Sequence, residues 1–485
     1  MKKIFIIAAA VILSAGMSSC DDFLELNPTD SASAEGAIHT AADAKVMING
    51  VMRSMTSEYY YGKDMFLYGD VKGGDVAVRS LGRGDDALYT FNHSETSNAF
   101  GSYWSQIYYC LLQLNNLLAN IERIDAEGNG SADLDEYKGQ ALTLRALLYF
   151  DLVRLYGRPY TEDNGASQGV PMPLKVLDVY TQETRITVAA NYAQILKDLA
   201  DAAPLLSKTV TKGYVNYYAN KAIQARAYLF MGRLGDALAA AEEIIGDKKY
   251  TLYDNDAWVA SWSSEFGSES ILELGIYQDE ADLGRSSLGY YFMRYGKLTG
   301  AMGWFMASDF FIERLGEDPD DVRWGIMDYD EIAETRFGAC NKYTGNDNRG
   351  DKGSPSAVNI KVIRLSEIYL IAAEAALSSD KAKAAGYLNE IRRRSSLAPA
   401  TEESVSLDMV LDEKSKELYC EGHRYFDMMR HGRSITFNDE ILQGSISASV
   451  RPKTIDKTFY KTILPIPKAE LDANPALVSQ QNPGY

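Results

Sequence analysis

Two stretches of the chain share one helical pattern, and this pattern limits the possible folds more than any other feature of the sequence. Residues 216–246 and 363–394 each contain an alanine-rich apolar segment, a short polar turn and a second apolar segment. Alanines at the crossing point allow two helices to pack closely. Each stretch therefore predicts a tetratricopeptide-like helical hairpin, but the long segment between them excludes a regular array.

Two further segments have helical periodicity. Residues 103–122 place apolar side chains three and four positions apart, and residues 136–156 repeat this spacing. The second segment stops at Gly157 and Pro159, residue types that terminate helices. Trp104 lies on the apolar stripe of the first helix, so we expect it in the core.

The segment between the two hairpins, residues 247–361, has a different composition. It holds four of the five tryptophans of the chain, many glycines and a polar stretch at 344–354. Because it has no sustained helical period, we predict long loops with short helices or strands, packed on the helices. The predicted fold class is mainly α, with a tetratricopeptide-like helical hairpin scaffold and a loop-rich irregular half.

The chain begins with a segment that is typical of a bacterial lipoprotein signal. Lys2 and Lys3 precede an apolar run from Ile4 to Leu13, and small residues lead to Cys20. The run is far shorter than the ~20 residues of a membrane span. We therefore predict diacylglycerol on Cys20; the alternative is an ordinary signal peptide with an incidental cysteine. The predicted divisions are a signal peptide at 1–19, a lipid-anchored tether at 20–40, and a single domain at 41–485 with the insert at about 247–361.

The charge of the chain limits its partners. The net charge of −18 becomes −20 when Lys2 and Lys3 leave with the signal peptide. Such acidity argues against nucleic acid and against lying flat on anionic lipid, because both require basic patches. We expect membrane contact through the acyl chains only.

Three cysteines remain besides Cys20. Cys110, Cys340 and Cys420 are widely separated and form no CxxC motif. This spacing argues against a disulfide framework and against a cysteine metal site. We expect isolated, mostly buried thiols.

Several motifs resemble the SusD/RagB family of outer-membrane lipoproteins, and they span nearly the whole chain. The most extensive is the run Glu-Leu-Tyr-Cys-Glu-Gly-His-Arg-Tyr-Phe-Asp-Met-Met-Arg at 417–430. The others are Cys20 to Leu24, Arg145-Ala146 with Tyr149-Phe150 and Tyr156-Gly157, Gly169-Val170-Pro171, Leu464 to Pro467, and Asn482 to Tyr485.

The resemblance implies a SusD-like fold whose loop-rich half carries the ligand surface. It also implies a role, because proteins of this family cap a SusC-like TonB-dependent outer-membrane transporter and pass it glycans or, in some members, peptides. We therefore expect a lipid-anchored protein of the outer membrane that faces the exterior and binds an oligomeric nutrient, most simply a glycan. The alternatives are a peptide-capturing lid and a structural transporter subunit without its own affinity.

Sugars bind by stacking their C–H faces on aromatic rings while polar side chains bind the hydroxyls. The insert supplies the aromatic candidates, although any single tryptophan is more often a core residue. Two adjacent tyrosines in an extended segment point to opposite sides, so at most one of them would reach a ligand. By family analogy, the loop at 79–100 supplies a second wall. The predicted ligand-binding residues are Trp304, Trp262, Tyr290, Tyr291, Arg79, Arg83, Tyr89 and Asp85.

The C-terminal motif has charged residues at steps of three and four, which place them on one face of a single helix. They are Glu417, Glu421, Arg424, Asp427 and Arg430. Alternating charges can form an acid/base pair, but the motif offers no nucleophile or metal ligand set. We favour a structural set of ion pairs that docks the helix.

The segment at 125–136 nearly matches a calcium-binding loop between two helices. Its candidate ligands are Asp125, Glu127, Asn129, Asp133 and Glu136, with Gly130 at the turn position. The match is imperfect because position three is a glutamate. The alternative is a polar interhelical connection in which Asp133 and Glu136 form a capping box.

Catalytic motifs are scarce in the sequence. It has neither an HExxH metalloprotease motif nor a Walker phosphate-binding loop. A glycosidase needs only two carboxylates, and a chain with 67 acidic residues always offers such a pair. We predict a binding protein rather than an enzyme, with a glycosidase as the alternative.

Overall fold

The computed structural model describes residues 38–82, 86–178, 180–277, 286–294, 301–331, 334–347, 354 and 357–485. Its α-helices are α1 (Ala41–Met55), α2 (Asp64–Val71), α3 (Asp86–Thr90), α4 (Asn98–Ala126), α5 (Ala132–Tyr156), α6 (Tyr160–Asp163), α7 (Val188–Ala202), α8 (Tyr217–Phe230), α9 (Leu234–Asp247), α10 (Asn255–Trp258), α11 (Leu288–Phe292), α12 (Asp309–Leu315), α13 (Leu365–Ala376), α14 (Lys381–Arg392), α15 (Leu407–Glu417), α16 (Arg424–Arg430) and α17 (Lys468–Ala473). The strands are β1 (Val76–Val78), β2 (Ser270–Leu274), β3 (Phe305–Ala307), β4 (Met327–Tyr329), β5 (Phe337–Cys340), β6 (Ile360–Arg364), β7 (Ile435–Thr436) and β8 (Thr454–Ile455).

The longest helices form the core of the scaffold. They confirm the prediction that the two periodic segments are helical. Helix α4 contains the predicted segment 103–122, and α5 contains 136–156 and ends where Gly157 follows. Both pack against α1, and α5 also packs against α7. Trp104 is 4% exposed, as expected of a residue on the apolar stripe. The prediction of a mainly helical scaffold is therefore confirmed.

Both predicted hairpins are present, and they pack against each other. Helices α8 and α9 form the first hairpin, α13 and α14 form the second, and α9 packs against α13. Arg226 in α8 forms a buried ion pair with Glu367 in α13. The Tyr387 hydroxyl donates to Glu242 across the same interface at 2.8 Å. The insert therefore connects the two hairpins in sequence without separating them in space.

The insert has the short, irregular elements that its composition predicts. Its strands form antiparallel two-stranded pairs, with β2 beside β6 and β4 beside β5. Strand β3 pairs with β1, which lies much earlier in the chain, so that Val78 faces Phe305. The β1–β3 pair fixes the insert to the N-terminal part of the scaffold.

A buried group of charged residues, here called the ion cluster, joins the insert to the scaffold. Arg364 at the end of β6 is its centre, with Nε 2.7 Å from Glu421 Oε2 and Nη1 3.0 Å from Glu269 Oε2. Lys342 Nζ lies 2.6 Å from Glu421 Oε1. All of its side chains are almost completely buried, and they are Glu269, Arg323, Lys342, Arg364, Arg394, Glu413, Glu417 and Glu421.

The C-terminal motif forms ion pairs as predicted, but the prediction of one continuous helix is wrong. Helix α15 ends at Glu417 and α16 begins at Arg424. Between them Cys420 has φ +63° and Gly422 has φ +80°, values that a helix does not allow. The turn packs on α2, where Asp70 accepts a hydrogen bond from the Gly422 amide at 2.6 Å. Tertiary docking of the turn therefore overrides the helical spacing of the charges.

The second half of the motif has its own buried ion pairs. Arg430 bonds to Glu374 in α13 and, at 2.7 Å, to Asp427. Lys414 in α15 lies 2.9 Å from the same Asp427 carboxylate. These contacts join α13, α15 and α16, so the motif is charged because it docks three helices.

Removal of the central cation should destabilise the fold strongly. We expect Arg364→Ala to lower the free energy of unfolding by about 3–5 kcal/mol, because it removes the counter-charge that three buried glutamates share. The matched control is Arg233→Ala, which removes an exposed ion pair with Asp236 and should cost less than about 1 kcal/mol. Urea denaturation measures both. Equal losses in the two variants would contradict the assigned role of Arg364.

The ion cluster also predicts a loss of stability in acid. Burial opposes ionisation of Glu421, but Arg364 and Lys342 outweigh it and lower the pKa from 4.5 to about 2. The stabilisation is therefore complete above pH 4.5 and is lost as pH falls towards 2, where the unfolded chain binds the extra proton. In Glu421→Gln we expect lower stability at pH 7 but a shallower decline between pH 5 and pH 3. Parallel declines in urea denaturation of the two proteins would contradict the assignment.

Candidate functional site

The structure brings together four of the predicted ligand residues at the β1–β3 pair. Arg79 follows β1 and Trp304 precedes β3, so the two residues flank the paired positions Val78 and Phe305. The main chain of α11 lies beside them, since the Trp304 amide donates to the Tyr291 carbonyl at 2.9 Å. Tyr290, Tyr291, Trp304 and Arg79 therefore belong to one region, whereas Arg83 and Asp85 lie outside the described residues.

Within this region the aromatic rings are less accessible than the sequence predicts. Tyr290 and Tyr291 lie in helix α11 rather than in an extended segment. Tyr290 is 5% exposed and Trp304 is 8% exposed, whereas Tyr291 is only half-buried. The Tyr291 ring stacks on Phe305 with centroids 5.8 Å apart, and Lys63 Nζ lies 5.1 Å from its centroid. Tyr291 is therefore the most accessible ring of this group, although Phe305 and Lys63 contact it.

Trp262 and Tyr89 do not form the predicted ligand platforms, because both are core residues. Trp262 is 3% exposed and packs against the ion cluster, with Lys342 Nζ 4.2 Å from its ring centroid. Tyr89 is fully buried, and its hydroxyl donates to Asp439 at 2.9 Å. Burial of both ring faces corrects the expectation that these side chains stack on a sugar.

The insert contains a second aromatic group that the sequence did not indicate as a ligand surface. It consists of Tyr329 and Phe337 on the β4–β5 hairpin and Trp324 in the short 3-10 helix just before β4. Phe337 is 38% exposed, and its ring centroid lies 4.4 Å from that of Tyr329 and 6.0 Å from that of Trp324. Strands of three and four residues give too little alternation to reveal the hairpin from sequence.

Charged side chains connect the two aromatic groups. Asp330, which follows β4, pairs with Arg79 at 3.1 Å and with Arg336 at 2.6 Å. Arg79 also pairs with Glu331, whose pKa is lowered by hydrogen bonding to Thr335 and by Arg79. We call the combined surface the insert face, and its members are Arg79, Tyr291, Trp304, Tyr329, Arg336 and Phe337. It combines partly exposed rings with fixed donors and acceptors, the composition that sugar recognition requires.

A groove between α4, α5 and α7 is a less suitable sugar site. Its volume is about 740 Å³, and its described lining consists of charged, amide and aliphatic side chains without an aromatic ring. Arg145 in this groove is already bonded to Asp198 at 2.7 Å and 2.8 Å. The groove therefore has polar groups but no stacking surface.

The calcium-loop prediction is wrong. Helix α4 extends to Ala126 and α5 starts at Ala132, so most of the predicted loop is helical. Glu136 accepts from the Ser207 amide at 2.8 Å, and Glu127 pairs with Arg123 at 2.9 Å. In the described part of the chain no three His, Cys, Asp or Glu side chains converge to hold a metal ion. Asp125, Asn129 and Asp133 belong to the alternative, a polar interhelical connection, although its helix cap is Ser131.

One short match to a hydrolase motif has no catalytic context. Residues 165–169 read Gly-Ala-Ser-Gln-Gly, which fits the G-x-S-x-G pattern of nucleophile elbows. The motif requires a strand-to-helix turn and a histidine base, but this segment follows the short helix α6. The buried Ser167 hydroxyl has no hydrogen-bond partner among the described residues. The arrangement does not activate Ser167 as a nucleophile.

The described helices include none that is both long and apolar enough to cross a bilayer.

Comparisons with known proteins identify relatives over most of the chain. The model of the SusD family matches residues 325–485, and a model described as "Starch-binding associating with outer membrane" matches residues 22–230. A solved SusD superfamily protein from Bacteroides thetaiotaomicron is 33% identical, with a TM-score of 0.84 over 92% of this chain and 100% of that chain. Another from Bacteroides vulgatus is 35% identical, with a TM-score of 0.82 and the same coverage.

A further similar structure is described as a laminarin-binding SusD-like protein. It is 24% identical, with a TM-score of 0.71 over 92% of this chain and 99% of that chain, and this likeness concerns the fold. The hairpin scaffold, the irregular insert and the two relatives at 33% and 35% identity lead to one conclusion. The chain belongs to the SusD family.

Proposed function

We propose that this protein is a surface lipoprotein that binds an oligomeric glycan and delivers it to a SusC-like TonB-dependent transporter of the outer membrane. The family description "Starch-binding associating with outer membrane" supports both the ligand class and the location. The laminarin-binding relative is an example of a glycan ligand on this fold. The protein acts by binding and has no catalytic step of its own.

The observation that carries the glycan proposal is the composition of the insert face. Phe337 and Tyr291 present partly exposed rings, while Arg79 and Arg336 are held in place by the buried Asp330 carboxylate. Fixed guanidinium groups beside aromatic rings bind hydroxyls at a small entropic cost, because the protein side is already ordered. An oligosaccharide that spans both aromatic groups would contact each of them.

The anchor and the domain organisation complete the proposal. In this proposal Cys20 carries the acyl chains, residues 20–40 act as the tether, and residues 41–485 form one domain with the insert as its ligand-binding part. Ile38 is already buried, and Arg123 Nη2 donates to its carbonyl oxygen at 2.7 Å. A tether that is fixed to the domain at Ile38, near its end, allows the domain to move over a transporter while it stays attached to the membrane.

Binding to a glycan should depend on the exposed rings. For the chain that begins after Cys20, we expect affinity electrophoresis against a polysaccharide panel to identify one retained class, and calorimetry to measure its Kd. Tyr291→Ala and Phe337→Ala should each weaken binding about tenfold, since the loss of one stacking contact amounts to about 1.4 kcal/mol.

The control for these variants is Tyr180→Ala, which removes a tyrosine that is 89% exposed and lies outside the insert. Its Kd should equal that of the unchanged protein, and thermal unfolding should show that all variants are folded. Binding of peptides alone would make the protein a peptide-capturing lid, and no binding at all would favour a structural subunit. Release of sugar from any polysaccharide by the purified protein would contradict the non-enzymatic assignment.

Membrane attachment should depend on one cysteine. When the full chain is expressed in a bacterium that processes lipoproteins, we expect Cys20→Ala to move the protein from the membrane fraction to the soluble fraction and to abolish labelling with palmitate. Cys110→Ser is the matched control and should leave both properties unchanged, because Cys110 is buried in the fold. Continued labelling of Cys20→Ala would exclude Cys20 as the acylated residue.

A further inference from the structure

The cysteines of the fold are not all isolated, as the sequence suggests. Cys110 matches the expectation, because it is a buried free thiol whose sulfur accepts a long hydrogen bond from Gln106 Nε2 at 3.9 Å. Cys340 and Cys420 are also fully buried, but their thiols are close enough to influence each other's ionisation. The expectation failed because the two residues are far apart in sequence, and only the packing of the insert on the C-terminal motif brings them together.

The main chain on both sides of this thiol pair is held firmly. Cys340 ends β5, where it is paired with Met327 of β4. Two residues later Lys342 Nζ lies 2.6 Å from Glu421 and 3.0 Å from the Glu417 carbonyl oxygen. The Tyr343 hydroxyl donates to the carbonyl oxygen of Cys420 itself at 2.6 Å. These bonds hold the two segments in a fixed register. The packing of the segments, and not the movement of a loop, therefore brings the two thiols close together.

We propose that Cys340 and Cys420 form a structural disulfide bond when the chain folds in contact with a disulfide oxidant. The chain has only four cysteines, and two of the three that follow Cys20 meet in the fold. The inference rests on the proposed function in one respect, because an exported protein folds in an oxidising compartment where such bonds persist. The reactivity of the pair is nevertheless a property of the fold and can be tested without export.

The reaction is an ordinary thiol–disulfide exchange. The Cys340 sulfur, as thiolate, displaces one thiolate from the disulfide of the oxidant and forms a mixed disulfide. The Cys420 thiol then loses its proton and attacks the Cys340 sulfur, so that the Cys340–Cys420 bond forms and the second thiolate of the oxidant leaves. The protein loses two electrons and two protons, and the oxidant gains both as two thiols.

The surroundings of the pair favour this assignment of roles. Burial disfavours a thiolate at Cys340, but the neighbouring Cys420 thiol and the nearby Lys342 outweigh it, and the pKa of Cys340 lies below its usual range. Burial raises the pKa of Cys420. The sulfur with the lower pKa, that of Cys340, is the thiolate available for the first attack on the oxidant.

The bond would connect the ligand-binding part of the molecule to the scaffold. Phe337 of the insert face lies in the same strand as Cys340, whereas Cys420 lies in the turn that docks on α2. A covalent link between them restricts the motion of the β4–β5 hairpin. Less motion in the free protein lowers the ordering cost when a ligand binds the exposed rings.

The test is to refold the chain that begins after Cys20 in a glutathione redox buffer, denature it with an alkylating reagent and measure its mass. The expected result is one alkylated cysteine before reduction and three after it, with a linked Cys340–Cys420 peptide in the digest. The oxidised form should have a Tm at least about 3 °C above the reduced form, since the bond closes a long loop.

Three alkylated cysteines after refolding in this buffer would overturn the proposal, and so would a link that includes Cys110. Cys110→Ser is the matched control and should keep both the linked peptide and the Tm difference. The double variant Cys340→Ser/Cys420→Ser should lose the Tm difference between oxidising and reducing conditions. Because no glycan or membrane is present, the result is independent of whether the proposed ligand and anchor are correct.

Discussion

The structure depends on a buried cluster of charges in which one guanidinium, that of Arg364, is shared by three glutamates. Glu269 belongs to the insert, whereas Glu417 and Glu421 belong to the C-terminal motif, so the same interaction holds both parts on the helical scaffold. Charges that are buried in this way are costly unless every partner is present. The motif is therefore rich in charged residues for a structural reason, and the cluster needs no catalytic role to explain it.

This arrangement explains how an irregular segment can carry a binding surface. The insert has only short strands and helices, which would not be stable alone, but the β1–β3 pair and the ion cluster fix it at two places. Arg79 and Arg336 can then be held by Asp330 in a fixed orientation next to the aromatic rings. In the proposed function the hairpin scaffold supplies rigidity, and the insert supplies the side chains that bind the ligand.

The helices and both hairpins could be predicted because their apolar spacing is local and regular. The proposed ligand surface could not be predicted, because burial of a ring depends on partners that are distant in sequence. Trp262 and Tyr89 are residue types that often bind sugars, but they lie in the core. Phe337 is exposed, but it lies on a hairpin whose strands show no clear alternation of polar and apolar residues. The helical spacing of the C-terminal charges was misleading for a similar reason, since the positive φ of Cys420 is set by docking of the turn and leaves no local signal.

The central claim is that the insert face is where the ligand binds. Hydrogen–deuterium exchange of the protein with and without its retained glycan tests this claim most directly, because it locates binding without altering the surface. The account predicts slower exchange in the β4–β5 hairpin and in the segments around Tyr291 and Trp304, with little change in the hairpin helices α8 and α9. Slower exchange confined to the groove between α4, α5 and α7, with none in the insert, would contradict it.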